Sequence, residues 1–434
     1  MKIKSSASRL LALVLLLSLL LCATACVFSP YSEYTKEELV ALMERSTREY
    51  DRVADYLNTW SFPRFDYRKL YLLEAVFALY YYKDIPDAKT LARSVAELYL
   101  EYFYDESDRT DKTVNTDAYL ICYTAAVGDK YAVYRTAEEY DDFDTDMSGS
   151  FVGIGVSVLY DPLTGIATVD EVIPDSPAEE AGIQGGDLIV SVGDLTVKED
   201  GYDATLDAVQ GEVGTPVTVT VDRDGTPLTF TMLRRALTDN TVRYEHDTES
   251  NIGYVRITDF KDVTVGQFKM AIDALEALGV RGYVFDLRGN PGGYLRVVSE
   301  VVAYLSQKGS TVVSFDEDYG PPIVDEDEHE VNKPMVVITN RRTASAGEIF
   351  TAALRDLKGA VIVGDTTFGK GVMQSTFSLG DGSTITLTVS RYNPPSGVNF
   401  DGVGILPDLP VEEIEGGDAP LAAAKAELIR QIQK

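Results

Sequence analysis

Ser345 and Lys370 lie 25 residues apart in a 434-residue chain that holds only two histidines. Ser345 sits in "NRRTASAGEIF", between a strand-like run, "MVVIT", and a helix-like run, "AGEIFTAALRDL". A serine at a strand-to-helix turn projects its hydroxyl from the end of a sheet. Neighbouring N–H groups point to the same place, and the helix N-terminus favours a developing oxyanion. Small residues, Ala344, Ala346 and Gly347, let a substrate backbone approach. The structural alternative is an ordinary serine N-cap. As a nucleophile Ser345 needs a base, and the histidines are poorly placed to be it. His329 lies in "DEDEHE", whose carboxylates would hold it charged, and His246 lies in a polar link, "RYEHDTES". Lys370 lies in "TTFGKGVMQ", between Gly369 and Gly371, after the strand-like "AVIVGD". A lysine brought in by glycines can act as general base once neutral. It must then titrate about 3 pH units below its ordinary value of about 10.4, at a cost of about 4 kcal/mol in desolvation and like-charge repulsion. Gln374 is spaced to accept a hydrogen bond from the amine and hold it.

Two glycine-bearing segments could bind charge through backbone N–H groups. "FDLRGNPGGYLRVV", residues 285–298, ends a buried strand in an Asn-Pro-Gly-Gly turn before a helix. It reads either as a tight turn or as a second anion-receptive helix start in the same sheet. "FVGIGV", residues 151–156, is a glycine-rich strand entrance. Phe151, Val152, Gly153, Ile154 and Gly155 could form a nest for a peptide's terminal carboxylate, the peptide adding as a strand. The bland reading is a β-turn with two glycines. No cluster has zinc-ligand spacing, so no metal is expected.

These segments require a scaffold, and the chain's texture outlines one. Residues 36–104 repeat apolar positions near helical spacing, break at "DIP", and are rich in tyrosine. Such stripes are core or a helix–helix interface. From Phe151 short alternating segments with turn signals follow, with two short helices at "SPAEEAGI" and "TLDAVQ". Beyond about 236, "IGYVRI", "GYVFDL", "PMVVIT" and "AVIVGD" alternate with helices near 264–278, 294–306 and 346–357, an α/β signature. A hairpin across Asp381-Gly382 and a closing helix complete the chain, and the acidic stretch 316–330 reads as a loop.

Composition is that of a globular protein, 45% apolar and 25% charged. The net charge of −30 argues against a nucleic-acid partner. The first residues are an export signal: Lys2, Lys4 and Arg9, an apolar run, then "ATAC". The ending resembles a lipobox, which would place diacylglycerol on Cys26 despite Ala23 where leucine is commonest. Ordinary cleavage near Ala25 and a single spanning helix are the alternatives. Cys122 is then the mature chain's unmodified cysteine, expected as a small buried hydrophobe.

Six segments in order, "FVGIGV", "SPAEEAGIQGGDLIVSVGD", "DLRGNPGG", "TASAGEI", "FGKGVMQ" and "PPSGVNFDGVGILPD", resemble the C-terminal processing peptidases. These are bacterial and plastid serine proteases with a Ser-Lys dyad and an internal PDZ domain. The resemblance spans roughly 115–434. It implies an α/β protease core of the Clp-protease/crotonase type, with an inserted PDZ domain and an N-terminal helical region. It assigns Ser345 as nucleophile, Lys370 as general base and Gln374 as its partner. The N–H groups of Ala346 and of a glycine in "NPGG", taken as Gly292, would form the oxyanion hole. Asp356 matches a supporting position, and Gly347 departs from a second serine that many members carry there.

The expected organisation is a signal at 1–25, a tether at 26–35 with lipidated Cys26, and a helical region at 36–147. A PDZ domain at 148–235, the protease core at 236–412 and a helix at 413–434 follow. The implied function is an exported serine endopeptidase without cofactor that acts on proteins with free, apolar C-termini. It would be held on the outer face of the bacterial cytoplasmic membrane by lipid, or be periplasmic. The family suggests a homodimer through the terminal helices. The competing readings are a PDZ scaffold on a dead protease core and acyl-CoA chemistry on the crotonase fold. A dead relative would be free to lose Ser345 or Lys370, and both are present.

Overall fold

Residues 65–103, 114–316, 319–414 and 417–434 are described by the structure, a computed structural model. The expected signal, Cys26, the tether and the first expected helix at 36–57 lie outside those residues. Two compact units divide the chain, one comprising residues up to Asp141 with Val372–Arg391, the other Asp142–Gly371 with Tyr392–Lys434.

In the first unit, helices Tyr67–Tyr80, Ala88–Tyr102 and Thr116–Val127 each begin where a short polar side chain, Asp66, Asp87 or Asn115, accepts a backbone N–H. Their apolar faces meet in one core that includes Leu70, Leu73, Phe77, Leu91 and Leu120. Of the tyrosine-rich stretch, Tyr99 is buried in that core and Tyr67, Tyr80 and Tyr81 pack against it; Tyr119 and Tyr123 of the third helix are buried there too. Cys122 is buried with them, and burial pushes its thiol up to about 12, as expected of an inert hydrophobe.

The hairpin of strands Val372–Ser378 and Thr384–Asn393 lies within the span expected as protease core, and its residues 372–391 cluster with the helices. Its Leu379, Ile385 and Leu387 insert into the helical core, and strand Val133–Arg135 pairs with its second strand. Lys69, nearly buried, spans Asp117 at 2.8 Å and the hairpin's Asp381 at 2.9 Å.

The second unit contains two sheets that matter for the site. One is antiparallel, with strands Val156–Asp161, Ile166–Val172, Leu188–Val192, Pro216–Arg223 and Thr226–Leu233 in that spatial order. Its expected helices are Pro177–Ala181 and Tyr202–Asp207. The other sheet runs Val242–Asp247, Ile252–Ile257, Tyr283–Asp286, Met335–Thr339, Val361–Gly364, Leu409–Pro410. Its first pair is antiparallel and the remaining pairs are parallel. The central strands Tyr283–Asp286 and Met335–Thr339 are buried at every position, the pattern of a sheet covered on both faces.

Helix Ala419–Ile432 packs Ala424 and Leu428 on this sheet, while Phe260, Phe268, Phe285 and Phe350 form an aromatic cluster. The stretch expected as a loop at 316–330 contains a short strand, Ile323–Val324, which pairs with Thr311–Phe315. No helix among the described residues is long and apolar enough to cross a membrane. Because three adjacent strands of the second sheet are parallel, the "NPGG", "ASAGE" and "FGKG" segments all follow strands at the same end of it.

Candidate active site

Strand Met335–Thr339 leads through a short loop to Ser345, which precedes helix Ala346–Lys358. Ser345 has φ 52° and ψ −116°, whereas an ordinary N-cap residue is extended. A non-glycine residue held there stores strain on the order of 1–3 kcal/mol, which the surroundings must over-determine. They do so from several sides. Thr343 Oγ1 donates to Leu287 O at 2.8 Å, Ala344 N to Asn290 O at 2.9 Å, and Phe368 N to Thr343 O at 2.9 Å. The loop is thereby sewn to those that follow the flanking strands.

The glycine turn lies directly against the serine. A Cβ added at Gly292 would fall 2.8 Å from Ser345 Cβ and 3.1 Å from Ala346 N. Its conformation, φ 117°, also favours glycine. Gly347, the departure from the family pattern, has a comparable reason: a Cβ there would sit 3.2 Å from Thr343 Cγ2 and 3.3 Å from Asn290 Oδ1. The Ala346 N–H has no acceptor among the described residues. Gly292 differs from expectation. Its N–H donates to Asn290 Oδ1 at 2.8 Å, so as it stands that donor is spent inside the turn. The exposed Gly293 N–H has no acceptor among the described residues.

Lys370 is fixed through its backbone. Its N–H donates to Glu348 Oε2 at 2.8 Å, and its carbonyl accepts from Tyr392 Oη. The flanking glycines make room for residues 399–404: a Cβ at Gly369 would lie 2.8 Å from Gly404 N, and one at Gly371 2.7 Å from Asp401 N. Gln374 uses its amide nitrogen on Val372 O at 3.2 Å and Thr388 Oγ1 at 3.3 Å. Asp356 accepts from Ser396 N at 3.0 Å and so holds the "PPSG" segment. Each histidine has its own partner: His246 Nε2 bonds Asn251 Oδ1, and His329 stacks on Tyr304.

The residue that sequence reasoning missed is Glu348. Its carboxylate is fully buried. Oε2 accepts the Ser345 N–H at 2.9 Å and the Lys370 N–H at 2.8 Å. Oε1 accepts Gly369 N at 2.7 Å and Thr367 Oγ1 at 2.5 Å. Burial outweighs the four donors, which act to lower its pKa, and raises it above the ordinary carboxylate value. A signal was available, because Ser345 and Glu348 have the S-x-x-E spacing of a capping box. Only the three-dimensional structure shows the same carboxylate also receiving the Lys370 backbone.

The second expected site lies in the antiparallel domain. Phe151, Val152 and Gly153 pair with Leu237, Ala236 and Arg235. Ile154 is buried, and Gly155, φ 86°, presses so close to Ser176 that a Cβ would lie 2.3 Å from its Cβ. The N–H groups of Ile154 and Gly155 have no acceptor among the described residues. Strand Val156–Asp161 follows with one edge unpaired. Beside it lies a narrow apolar groove, nearly closed as it stands with a free volume of about 10 Å³, whose walls include Val156, Val158, Tyr202, Leu206 and Val209. A free strand edge, an apolar groove and two open N–H groups at its head suit an extended peptide ending in a carboxylate.

Comparison with known proteins identifies the families of the two domains. The profile of Peptidase family S41 matches residues 251–411, and that of the PDZ domain residues 168–223. The chain is 33% identical over 310 residues to the carboxy-terminal processing protease CtpA of Bacillus subtilis (strain 168), covering 71% of this chain and 66% of that protein. It is 33% identical over 301 residues to the carboxy-terminal-processing protease of Bartonella bacilliformis, covering 66% of this chain and 67% of that protein. The matched region therefore spans about two thirds of these curated relatives, the 66% and 67% just given. A putative S41 protease from Bacteroides fragilis shares the fold, with a TM-score of 0.55 at 19% identity over 82% of this chain and 96% of that one. The chain belongs to peptidase family S41, as a serine peptidase of the C-terminal processing type with a PDZ domain.

Glu348 gives this site a specific test. In Glu348→Gln, the amide NH2 would face two N–H or O–H donors where an acceptor is needed. Losing one well-placed site donor typically costs about 10²–10³ in rate, and misplacing Ser345 and Lys370 together should cost at least about 100-fold in kcat/KM. Steady-state hydrolysis, with circular dichroism to verify folding, checks this. A folded Gln variant of wild-type activity would remove Glu348 from the site.

Proposed function

We propose that this chain is an exported endopeptidase that grips protein C-termini in its PDZ groove and cleaves upstream with a Ser-Lys dyad. The observation that carries the reading is the junction at Glu348, where one buried carboxylate fixes the backbones of Ser345 and Lys370 together. In the proposed reaction Ser345 Oγ attacks the scissile carbonyl and Lys370, neutral in the resting dyad, takes its proton. The lysine then returns the proton to the leaving amine, and water hydrolyses the acyl-enzyme by the same route in reverse. The Ala346 N–H, open at the helix N-terminus, stabilises the oxyanion. The turn that packs Gly292 on Ser345 supplies the second donor once the Gly292 N–H leaves Asn290.

Lys370→Arg separates a general base from a fixed charge. Arginine keeps the charge but cannot give up its proton in a protein. The base role predicts that Lys370→Arg and Lys370→Ala lose activity equally, each as deeply as Ser345→Ala. Measurable turnover by the Arg variant beside a dead Ala variant would make Lys370 a fixed cation.

The nest formed by Ile154 and Gly155 is proposed to bind the substrate's free α-carboxylate, with an apolar last residue in the groove. Hydrogen bonds to charged groups are worth about 1.5–3 kcal/mol, so amidating a peptide's C-terminus should weaken binding by at least about tenfold. Calorimetry on the Ser345→Ala protein measures this, and equal affinity for both peptides would refute the carboxylate site.

Export rests on the sequence of residues 1–26, and the lipid anchor on "ATAC" before Cys26. Two acyl chains on Cys26 would hold the protein stably on a membrane surface. Cys26→Ser should release it to the soluble fraction or leave it unprocessed. Mass spectrometry of a processed wild-type protein without lipid would overturn the anchor.

A further inference from the structure

Gln374 follows Lys370 by four residues, and its side-chain amide has two ends of opposite character. The nitrogen end donates, and only the oxygen end can take a hydrogen bond from an amine. Which end faces which way is decided by the groups around it. Two acceptors hold the nitrogen, Val372 O at 3.2 Å and Thr388 Oγ1 at 3.3 Å. The first is a backbone carbonyl and has no other role open to it. The second is a hydroxyl, which donates as readily as it accepts. Donating toward Gln374, it would draw the amide oxygen in place of the nitrogen.

Asp129 sets the direction of that hydroxyl. Helix Thr116–Val127 ends on Gly128, in the left-handed region at φ 86°, and Asp129 follows at once. Only 8% exposed, Asp129 accepts the Thr388 N–H on Oδ2 at 2.8 Å and the Thr388 hydroxyl on Oδ1 at 3.1 Å. Oδ1 also accepts Tyr131 N at 3.0 Å. A carboxylate only accepts, so the Thr388 proton is committed to Asp129 and the Thr388 oxygen is left to accept from Gln374. Thr388 is fully buried, so bulk water does not compete for either bond. The strands are irregular at this point: Met373 pairs with Ser390 but Gln374 with Thr388, and Val389 is the bulged residue between. Bulges re-aim side chains. The Thr388 backbone is bonded to the helical region at both its groups, the N–H to Asp129 and the carbonyl accepting from Tyr82 N at 3.2 Å.

We propose that Asp129 is a positioning residue for the proton transfer: by fixing the direction of the Gln374–Thr388–Asp129 hydrogen bonds, it keeps the oxygen of the Gln374 amide as the end offered to the Lys370 amine. The proposal rests on the reading of Lys370 as general base and Gln374 as its partner. Asp129 and Thr388 exchange no proton with the substrate and act on orientation alone. What matters is the polarity of the Thr388 hydroxyl, so a hydroxyl that donates the wrong way is worse for the reaction than none.

The test is a double-mutant cycle read by steady-state hydrolysis of one peptide, with circular dichroism to verify folding. It uses wild type, Asp129→Asn, Thr388→Val, their double variant and Gln374→Ala. In Asp129→Asn the new NH2 group faces either the Thr388 N–H or the Thr388 hydroxyl. The first sets donor against donor, so the NH2 turns to the hydroxyl oxygen, and the hydroxyl then donates toward Gln374. In this variant kcat should fall about tenfold, the effect of one hydrogen bond, with KM within about twofold of wild type. Thr388→Val removes the hydroxyl and leaves Val372 O to hold the amide nitrogen, so its kcat should stay within about threefold of wild type. The double variant should recover to the Thr388→Val level, because the misdirected hydroxyl is gone. A merely structural role for Asp129 predicts losses that add or deepen instead. A folded Asp129→Asn with wild-type kcat overturns the proposal. So does a loss confined to KM, or a double variant no more active than Asp129→Asn. If Asp129→Asn fails to fold, neutron diffraction from wild-type crystals reads the same direction. The Thr388 deuteron should then face Asp129 and the Gln374 nitrogen should face Thr388, and the Gln374 oxygen on Thr388 would overturn the assignment. Wild-type kcat in Gln374→Ala refutes the partner reading and this proposal with it. Loss in Gln374→Ala beside a fully active Asp129→Asn refutes this proposal alone.

Discussion

Glu348 carries a carboxylate that water does not reach, and four protein donors take the place of that water. Two of them, the N–H groups of Ser345 and Lys370, belong to segments that follow different strands. Among the described residues the carboxylate's hydrogen-bond partners are all donors, and the Thr367 hydroxyl that donates to Oε1 accepts from Ile405 N. The ionised form suits these partners although burial opposes it. A buried charge with all its partners present is rigid, and with one partner removed it is costly. The carboxylate thus makes the relative placement of the two loops close to all-or-none. That is the property a dyad requires, because a misplacement of about 1 Å can cost about 10²-fold in rate.

The second constraint is how closely backbone approaches backbone around that junction. Gly292 lies on Ser345, Gly347 on Asn290, Gly369 on Gly404 and Gly371 on Asp401, each where a Cβ would be crowded. Ser345 is the exception, a residue with a side chain in a backbone region that favours glycine. Its strain is sustained because the adjoining loops are bonded to one another through Thr343, Ala344 and Phe368. Chemistry at Ser345 and crowding around it are therefore linked: the serine faces the end of the sheet only because its neighbours have given up their side chains.

Periodicity served well where one local rule decides. The parallel strands were readable as short buried runs, and their helices as the stretches that alternate with them, because burial on both faces leaves little choice of residue. Among the described residues of the tyrosine-rich stretch, Tyr99 lies in the core, one of the readings that a stripe alone permits. The hairpin at 372–391 could be recognised from Asp381-Gly382 and its alternation, but not its allegiance. Insertion of Leu379, Ile385 and Leu387 into a helical core more than 250 residues earlier in the chain leaves no trace in local pattern. Ser345, Lys370 and the glycine turn were legible as types at suggestive positions. That Gly292 donates to Asn290 was not, since either glycine of "NPGG" could turn its N–H inward. Glu348 was passed over although it has capping-box spacing from Ser345, and its hold on Lys370 is a contact across 22 residues that spacing cannot disclose.

A serine–histidine pair normally needs a third group to orient the imidazole and fix its tautomer. A lysine base has a different requirement. Its ammonium is a flexible point charge, so the protein must restrain where the stem starts and reduce the water around its end. Here the start is fixed three ways: the Lys370 N–H on Glu348, its carbonyl on Tyr392, and glycines on both sides packed against residues 399–404. In the proposed dyad, the group that orients Lys370 acts on its backbone and holds the Ser345 backbone in the same bond set. In that proposed dyad one buried carboxylate would take the part of the histidine's orienting partner, because it holds the backbones of both Ser345 and Lys370. The two histidines of the chain, bonded to Asn251 and stacked on Tyr304, are left to structural work.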